Sequence, residues 1–322
     1  MNKIEKSDDF QAPGLLELVR PGDALEAKVR WICVAFTAAM LAMVFGVTGN
    51  YNWMTLYVVG GWTTMVVAAA FFMSAAWQMK KHGKVEVGPF PRILFFNLLA
   101  GINIAAFNPI KGWINQFGMW ADPMLANLER TLLLGNDAWV FLTWMPNEAM
   151  TIFYGRVWFI VTLLIVPIAA YLRQYRMLIL YFMIWGPLAL IPQAMFQSGG
   201  PIFWDEFGYG DRFLAIPYEP NVMVFADYLW MRYENGDFGL GSGISAMPSV
   251  HVMIATWVAL AWRDTRFKWL GVAFFALTFL LSIALGWHYA LDGLVGAGLV
   301  LIAFKLLAPF AKKDAASAKQ AH

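Results

Sequence analysis

The sequence predicts an all-α fold: a polytopic transmembrane helical bundle with an interfacial helix and extracytoplasmic loops. Three observations carry that expectation. Of 322 residues, 60% are hydrophobic and 14% charged, where soluble domains carry about a quarter charged. Sixteen Trp and 26 Phe suit lipid-facing surfaces and the aromatic belts at both membrane interfaces. Eight apolar runs reach, or nearly reach, the roughly 20 residues that cross a bilayer. A soluble core could not hide so many large side chains, whereas a bilayer solvates them from outside.

Residues 1–30 mix acids and bases with Pro13, Gly14, Pro21 and Gly22 and are expected to form a cytoplasmic arm. A cleavable signal peptide does not fit, because the apolar run starts late and acids crowd its basic flank. The transmembrane domain is expected over 31–310, with spans at 31–47, 53–77, 93–107, 157–172, 177–195, 247–262, 269–287 and 293–310. Residues 311–322 form a cytoplasmic tail. The run 93–107 is below the usual lower limit of about 17 residues, and 247–262 is also short.

Charge placement supports keeping both. With eight crossings and the N-terminus inside, 18 of the 23 Lys and Arg fall on the cytoplasmic side and five outside, the bias of a positive-inside protein. Dropping 93–107 inverts every later loop and spoils the pattern. An inner-membrane protein with both ends cytoplasmic follows.

The two long loops, near 108–156 and 196–246, then lie outside. In the first, Asp122 is a candidate N-cap, Pro123 the first helical residue and Gly135 a stop. Leu125, Leu128 and Leu132 share one face, which suits a helix in the membrane interface or one packed on the end of the bundle. The second loop is rich in Gly, aromatics and acids, the composition of a lid. The single cysteine, Cys33, excludes a disulfide within the chain and a cysteine-rich metal site.

Of four histidines, His82 lies in a basic loop and His322 is the last residue. His251 is expected near the outer start of one span and His288 near the outer end of the next, so distant positions reach one membrane depth. Asp292 follows His288 by four residues, one turn if the backbone there is helical. Ionisable groups at such depth are costly and usually functional. A carboxylate that accepts from one ring nitrogen fixes the tautomer and frees the other nitrogen as a nucleophile. A facing histidine can protonate a leaving oxygen. Structural roles stay open: His288 on a loop carbonyl, Asp292 as a cap, His251 as an interfacial polar residue.

The segment SAMPSVHV, 245–252, resembles the Pro-Ser-x-His motif of the phosphatidic acid phosphatase type 2 superfamily. GWHYALDGLVG, 286–296, resembles that superfamily's later His-x-x-x-Asp motif, and the spacing from His251 to His288 fits as well. The Met-Pro-Ser-x-His form and the His-Tyr pair resemble the branch that includes inositol phosphorylceramide synthases. The resemblance covers 242–296. It implies that His288 attacks phosphorus to give a phosphohistidine, that Asp292 orients it, and that His251 serves as general acid and then base. Ser249 would sit beside the phosphate.

Two features depart from the wider pattern. Leu281, Ser282 and Ile283 stand where a Ser-Arg pair often precedes the nucleophile, and no Lys-x6-Arg-Pro motif lies upstream. Phosphate charge still needs a counter-charge. Among the outer cations Lys111, Arg130, Arg156, Arg212 and Arg232, Arg212 in the Gly-rich loop is the first choice and Arg232 the second.

The expected activity is phosphoryl or phospho-head-group transfer or hydrolysis on a membrane lipid, with no cofactor, no metal and no nucleic-acid partner. A polyprenyl-diphosphate or phosphatidate phosphatase is the close alternative. A transporter with a His/Asp relay is the alternative of another class, although inverted repeats and midplane breaks are not evident. A metal-dependent hydrolase would need a further ligand beyond two His and one Asp. The sequence leaves the lipid and the oligomeric state open.

Overall fold

A computed structural model describes residues 21–49, 51, 53–82, 88–236, 241 and 243–311. The expected arm up to residue 20 and the tail from 312 lie outside the described residues. Those described are helix and loop throughout. Five helices have the length and hydropathy to cross a membrane: α1 (Ala24–Val47), α2 (Trp53–His82), α3 (Phe90–Phe117), α5 (Glu148–Tyr171) and α6 (Tyr175–Met195). The short amphipathic α4 is Asp122–Leu132 and α7 is Pro220–Glu234. The last three are α8 (Val250–Trp262), α9 (Lys268–Ala284) and α10 (Ala290–Leu306).

Contacts at the helix ends show the eight apolar segments running alternately between two ends of the bundle. At one end, Arg92 of α3 donates to the Ala170 carbonyl at the end of α5 (2.7 Å) and meets Glu26 of α1 (3.5 Å). Tyr175 at the start of α6 donates to Glu26 (3.0 Å). Arg176 donates to the Phe304 carbonyl near the end of α10 (2.7 Å), and Arg263, just past α8, lies over the Phe304 ring. Phe71 of α2 stacks on Phe90, rings 4.2 Å apart. The opposite end gathers Lys111, Tyr154, His251, His288 and Asp292.

Four boundaries differ from those expected, each for a physical reason. Helix α1 begins at Ala24 rather than 31, capped by Asp23, which accepts from the Glu26 N–H (2.7 Å). Its charges are tolerated because Glu26 and Arg30 are buried and paired (2.6 Å). Helix α3 has 28 residues, well beyond the run 93–107. Its polar positions face protein: Asn97 donates to Thr63, Asn103 to the Trp185 carbonyl and Asn108 to Thr55. Helix α6 is interrupted between Ile184 and Pro187, because Pro187 has no N–H to donate; Asn103 takes up the Trp185 carbonyl there. Helix α8 starts at Val250, with Ser249 as N-cap, rather than at 247.

Helix α4 also sits differently. Asp122 is not its N-cap; that position is Ala121, and the Asp122 carboxylate turns away from its own helix. Leu125 is buried while Met124, Leu128 and Leu132 are exposed. The inward edge is Asp122, Leu125, Ala126 and Glu129, so the apolar stripe lies along the helix's side. Gly135 (φ +93°) ends the helical stretch and its N–H bonds the Arg130 carbonyl. The 196–246 loop is packed by rings: Trp287 lies 6.2 Å from Phe203 and 5.8 Å from Phe225, centroid to centroid.

Candidate active site

Helix α9 ends at Ala284 because Gly286 takes φ +79°, a left-handed conformation that glycine enters without a Cβ penalty. The chain then turns through Trp287 and His288 before α10 begins. His288 is therefore in a turn, not a helix, and its N–H donates to the Ser282 carbonyl (3.0 Å). The side chain is 7% exposed. Its Nδ1 lies 2.9 Å from the Ala246 carbonyl oxygen and 3.5 Å from Asp292 Oδ2.

The carbonyl decides the tautomer. A carbonyl oxygen can only accept, so Nδ1 carries a proton, and in the neutral ring Nε2 holds the lone pair. Asp292 reaches His288 across the start of α10 rather than along a continuous helical turn. It is the third residue of α10 and, with Tyr289, forms a capping box, Oδ2 accepting the Tyr289 N–H at 2.9 Å. The cap and the contact with His288 coexist, one oxygen making both. Asp292 Oδ1 is buried without a hydrogen-bond partner.

His251 sits in the first turn of α8, its ring centroid 6.3 Å from that of His288. Tyr154 stacks on it at 4.4 Å and Trp158 lies at 3.9 Å. Trp158 also donates its indole N–H to the His251 carbonyl (3.0 Å). Tyr154 belongs to a π-helical stretch, Phe153–Val157; such one-turn insertions re-aim side chains and concentrate at functional sites. Ser249 Oγ accepts the Val252 N–H (3.4 Å), and the Ser249 N–H donates to the Asp292 carbonyl (3.1 Å), joining the starts of α8 and α10. The structure thus brings together His251, His288, Asp292 and Ser249.

The two arginines named from the sequence make contacts of their own. Arg212 is held by Asp137 (2.5 Å), Asn127 (2.9 Å) and the Ala126 carbonyl (2.9 Å), tying the lid to α4. Arg232 lies on α7 with its guanidinium 5.2 Å from the Tyr228 ring. Among the described residues, a cation within electrostatic reach of His251 is Lys111 of α3. Its stem runs beside Gly243, while Asn115, one turn on, donates to the Ile244 carbonyl.

Sequence reasoning missed four groups around this centre: Tyr154, Asp122, Glu129 and Tyr289. Asp122 accepts from the Gly199 N–H (2.7 Å), the Gly200 N–H (2.9 Å) and the Tyr289 hydroxyl (3.0 Å). Burial pushes its carboxyl up to about 7, against those three hydrogen bonds, and the nearby Asp292 charge adds to the rise. Glu129 accepts from the Ala138 N–H (3.2 Å) and from the Ala290 N–H; burial raises its carboxyl too. Two acids seven apart on a short amphipathic helix were the available signal, since that spacing puts both on one face. Tyr154 gave no signal, because nothing in the sequence marks the π-helical stretch.

The described residues form an all-helical membrane bundle with two histidines facing each other at one end. The PAP2 superfamily profile matches residues 123–306, more than half of the chain, and the chain belongs to that superfamily. Membership supports a phosphatase-type enzyme. No curated protein and no solved structure matches the chain.

Proposed function

We propose that the protein moves a phosphate-linked head group between membrane lipids through a phosphohistidine at His288, with hydrolysis as a slower leak. The observation that carries this reading is the 2.9 Å contact between His288 Nδ1 and the Ala246 carbonyl, which in the neutral ring puts the lone pair, and so the nucleophile, on Nε2. The Nε2 lone pair forms the N–P bond as the P–O bond to the leaving group breaks, and protonated His251 delivers its proton to the departing oxygen. In the second step the acceptor hydroxyl gives its proton to His251, its oxygen attacks phosphorus, and the N–P bond breaks. Asp292 stabilises the positive charge that His288 carries between the steps.

Charge on the phosphoryl oxygens is met in this reading by Lys111, ahead of Arg212 and Arg232, and by the positive end of α8 beside Ser249. The buried hydroxyls of Tyr154 and Ser245, without partners among the described residues, are further donors for those oxygens. Two features favour a lipid acceptor over water. The inositol phosphorylceramide synthase-like motif form at 245–252 is one. The other is the cover that α4 and the aromatic lid make over the site, since excluding water protects a phosphoenzyme and a held hydroxyl gains effective molarity.

The test is product partition with a panel of head-group-labelled phospholipids, EDTA present, and diacylglycerol, ceramide or polyprenol added or omitted. A new phospholipid that depends on the acceptor and disappears in His288→Ala is expected. Release of phosphate or phospho-head group at a rate indifferent to every acceptor would turn the reading into that of a phosphatase.

A further inference from the structure

We infer that α4 positions the reacting histidine, its Asp122 carboxylate closing a ring of hydrogen bonds that sets the orientation of His288. The inference rests on the phosphohistidine reading for its consequence and on geometry for its substance. An aspartate at the start of a helix ordinarily serves that helix's own free N–H groups. Asp122 instead turns outward to the Gly199 and Gly200 N–H groups and the Tyr289 hydroxyl.

The ring can be followed atom by atom. From Gly199 the backbone passes to Ser198, whose carbonyl accepts the Ala246 N–H (2.8 Å). The Ala246 carbonyl accepts from His288 Nδ1 (2.9 Å). His288 is bonded to Tyr289, whose hydroxyl returns to Asp122 (3.0 Å). Two turns along α4, Glu129 accepts the Ala290 N–H, so both carboxylates of the helix grip the two residues after His288. Loss of the Asp122 edge frees the 198–200 segment and Tyr289 together, and with them both supports of the imidazole.

Asp122 contacts no reacting atom in this account; it is a positioning residue. Asp122→Asn and the milder Tyr289→Phe should each lower kcat about 10–100-fold, the range typical when an outer partner of a reactive group is removed. KM for the lipid should stay within about twofold, because ground-state binding is untouched. The double variant should be little worse than Asp122→Asn alone, since both belong to one network, and Asp122→Glu should recover part of the loss.

A second readout does not need turnover: carbethoxylation of His288 by diethyl pyrocarbonate, followed by peptide mass spectrometry, with exposed His82 as reference in the same molecule. Both variants should change the His288 rate several-fold and leave His82 alone. If the wild type turns over no phospholipid yet His288 responds this way, the phosphohistidine reading fails and the positioning role stands. If folded Tyr289→Phe and Asp122→Asn keep wild-type kcat and wild-type His288 reactivity, the positioning role is wrong.

Discussion

Gly200 takes φ +88°, and a Cβ there would fall 2.4 Å from the Trp287 carbonyl oxygen. The other neighbour is the Ala246 Cβ at 3.2 Å, so no flexible side chain can yield. Gly200→Ala must therefore push the turn that carries His288, and displacement of a reacting group by about 1 Å can cost on the order of 10²-fold in rate. We expect turnover to fall by that order while the protein still folds, since the left-handed backbone itself costs only about 1–2 kcal/mol. Steady-state assays beside thermal unfolding in detergent check this. Full activity in Gly200→Ala would show that the 287–288 turn is not held as described. At this scale the meeting of His251, His288, Asp292 and Ser249 was legible because charged and polar residues stand out in apolar sequence. The Ala246 carbonyl was not, since any residue supplies one. Nor does the sequence reveal that Asp137 and Asn127 bond Arg212.

Helices α2 and α3 cross where Gly60 meets Gly101: a Cβ on Gly101 would lie 2.9 Å from the Gly60 Cα. Between helices in lipid, close approach of small residues supplies packing that the hydrophobic effect does not. Gly298 of α10 is a natural control, since a Cβ there meets nothing within 4 Å. Gly101→Ala should destabilise the protein by about 1–3 kcal/mol through overpacking. Gly298→Ala should be neutral or stabilise by up to about 1 kcal/mol through helix propensity. Thermal unfolding of the two variants side by side decides it, and equal midpoints would contradict the crossing. Element existence was readable from hydropathy, while element ends were not. The run 93–107 looked too short because Asn108, Lys111 and Asn115 follow it. Pattern alone cannot tell polar residues that face solvent from those that bond neighbouring helices. The same blindness hid the inward edge of α4, where Asp122 and Glu129 are buried.

Across the whole molecule, alternation of eight segments brings the starts of α5, α8 and α10 and the ends of α3 and α9 to one place. That convergence gathers a candidate site from positions as far apart as Lys111 and Asp292. Buried Glu26, Arg30, Arg92 and Tyr175 clamp α1, α3 and α6 at the opposite end, giving the bundle a fixed frame on which the site end can be held. The central claim is that His288 becomes phosphorylated during turnover, and one measurement addresses it directly. Protein quenched in alkali after brief exposure to phosphate-labelled lipid should carry label that is acid-labile, alkali-stable and localised by peptide mass spectrometry to His288. It should be absent from His288→Ala and persist longer in His251→Ala, whose second step lacks its base. Turnover of the same lipid with no label on His288 at any quench time, and with activity retained in His288→Ala, would contradict the account.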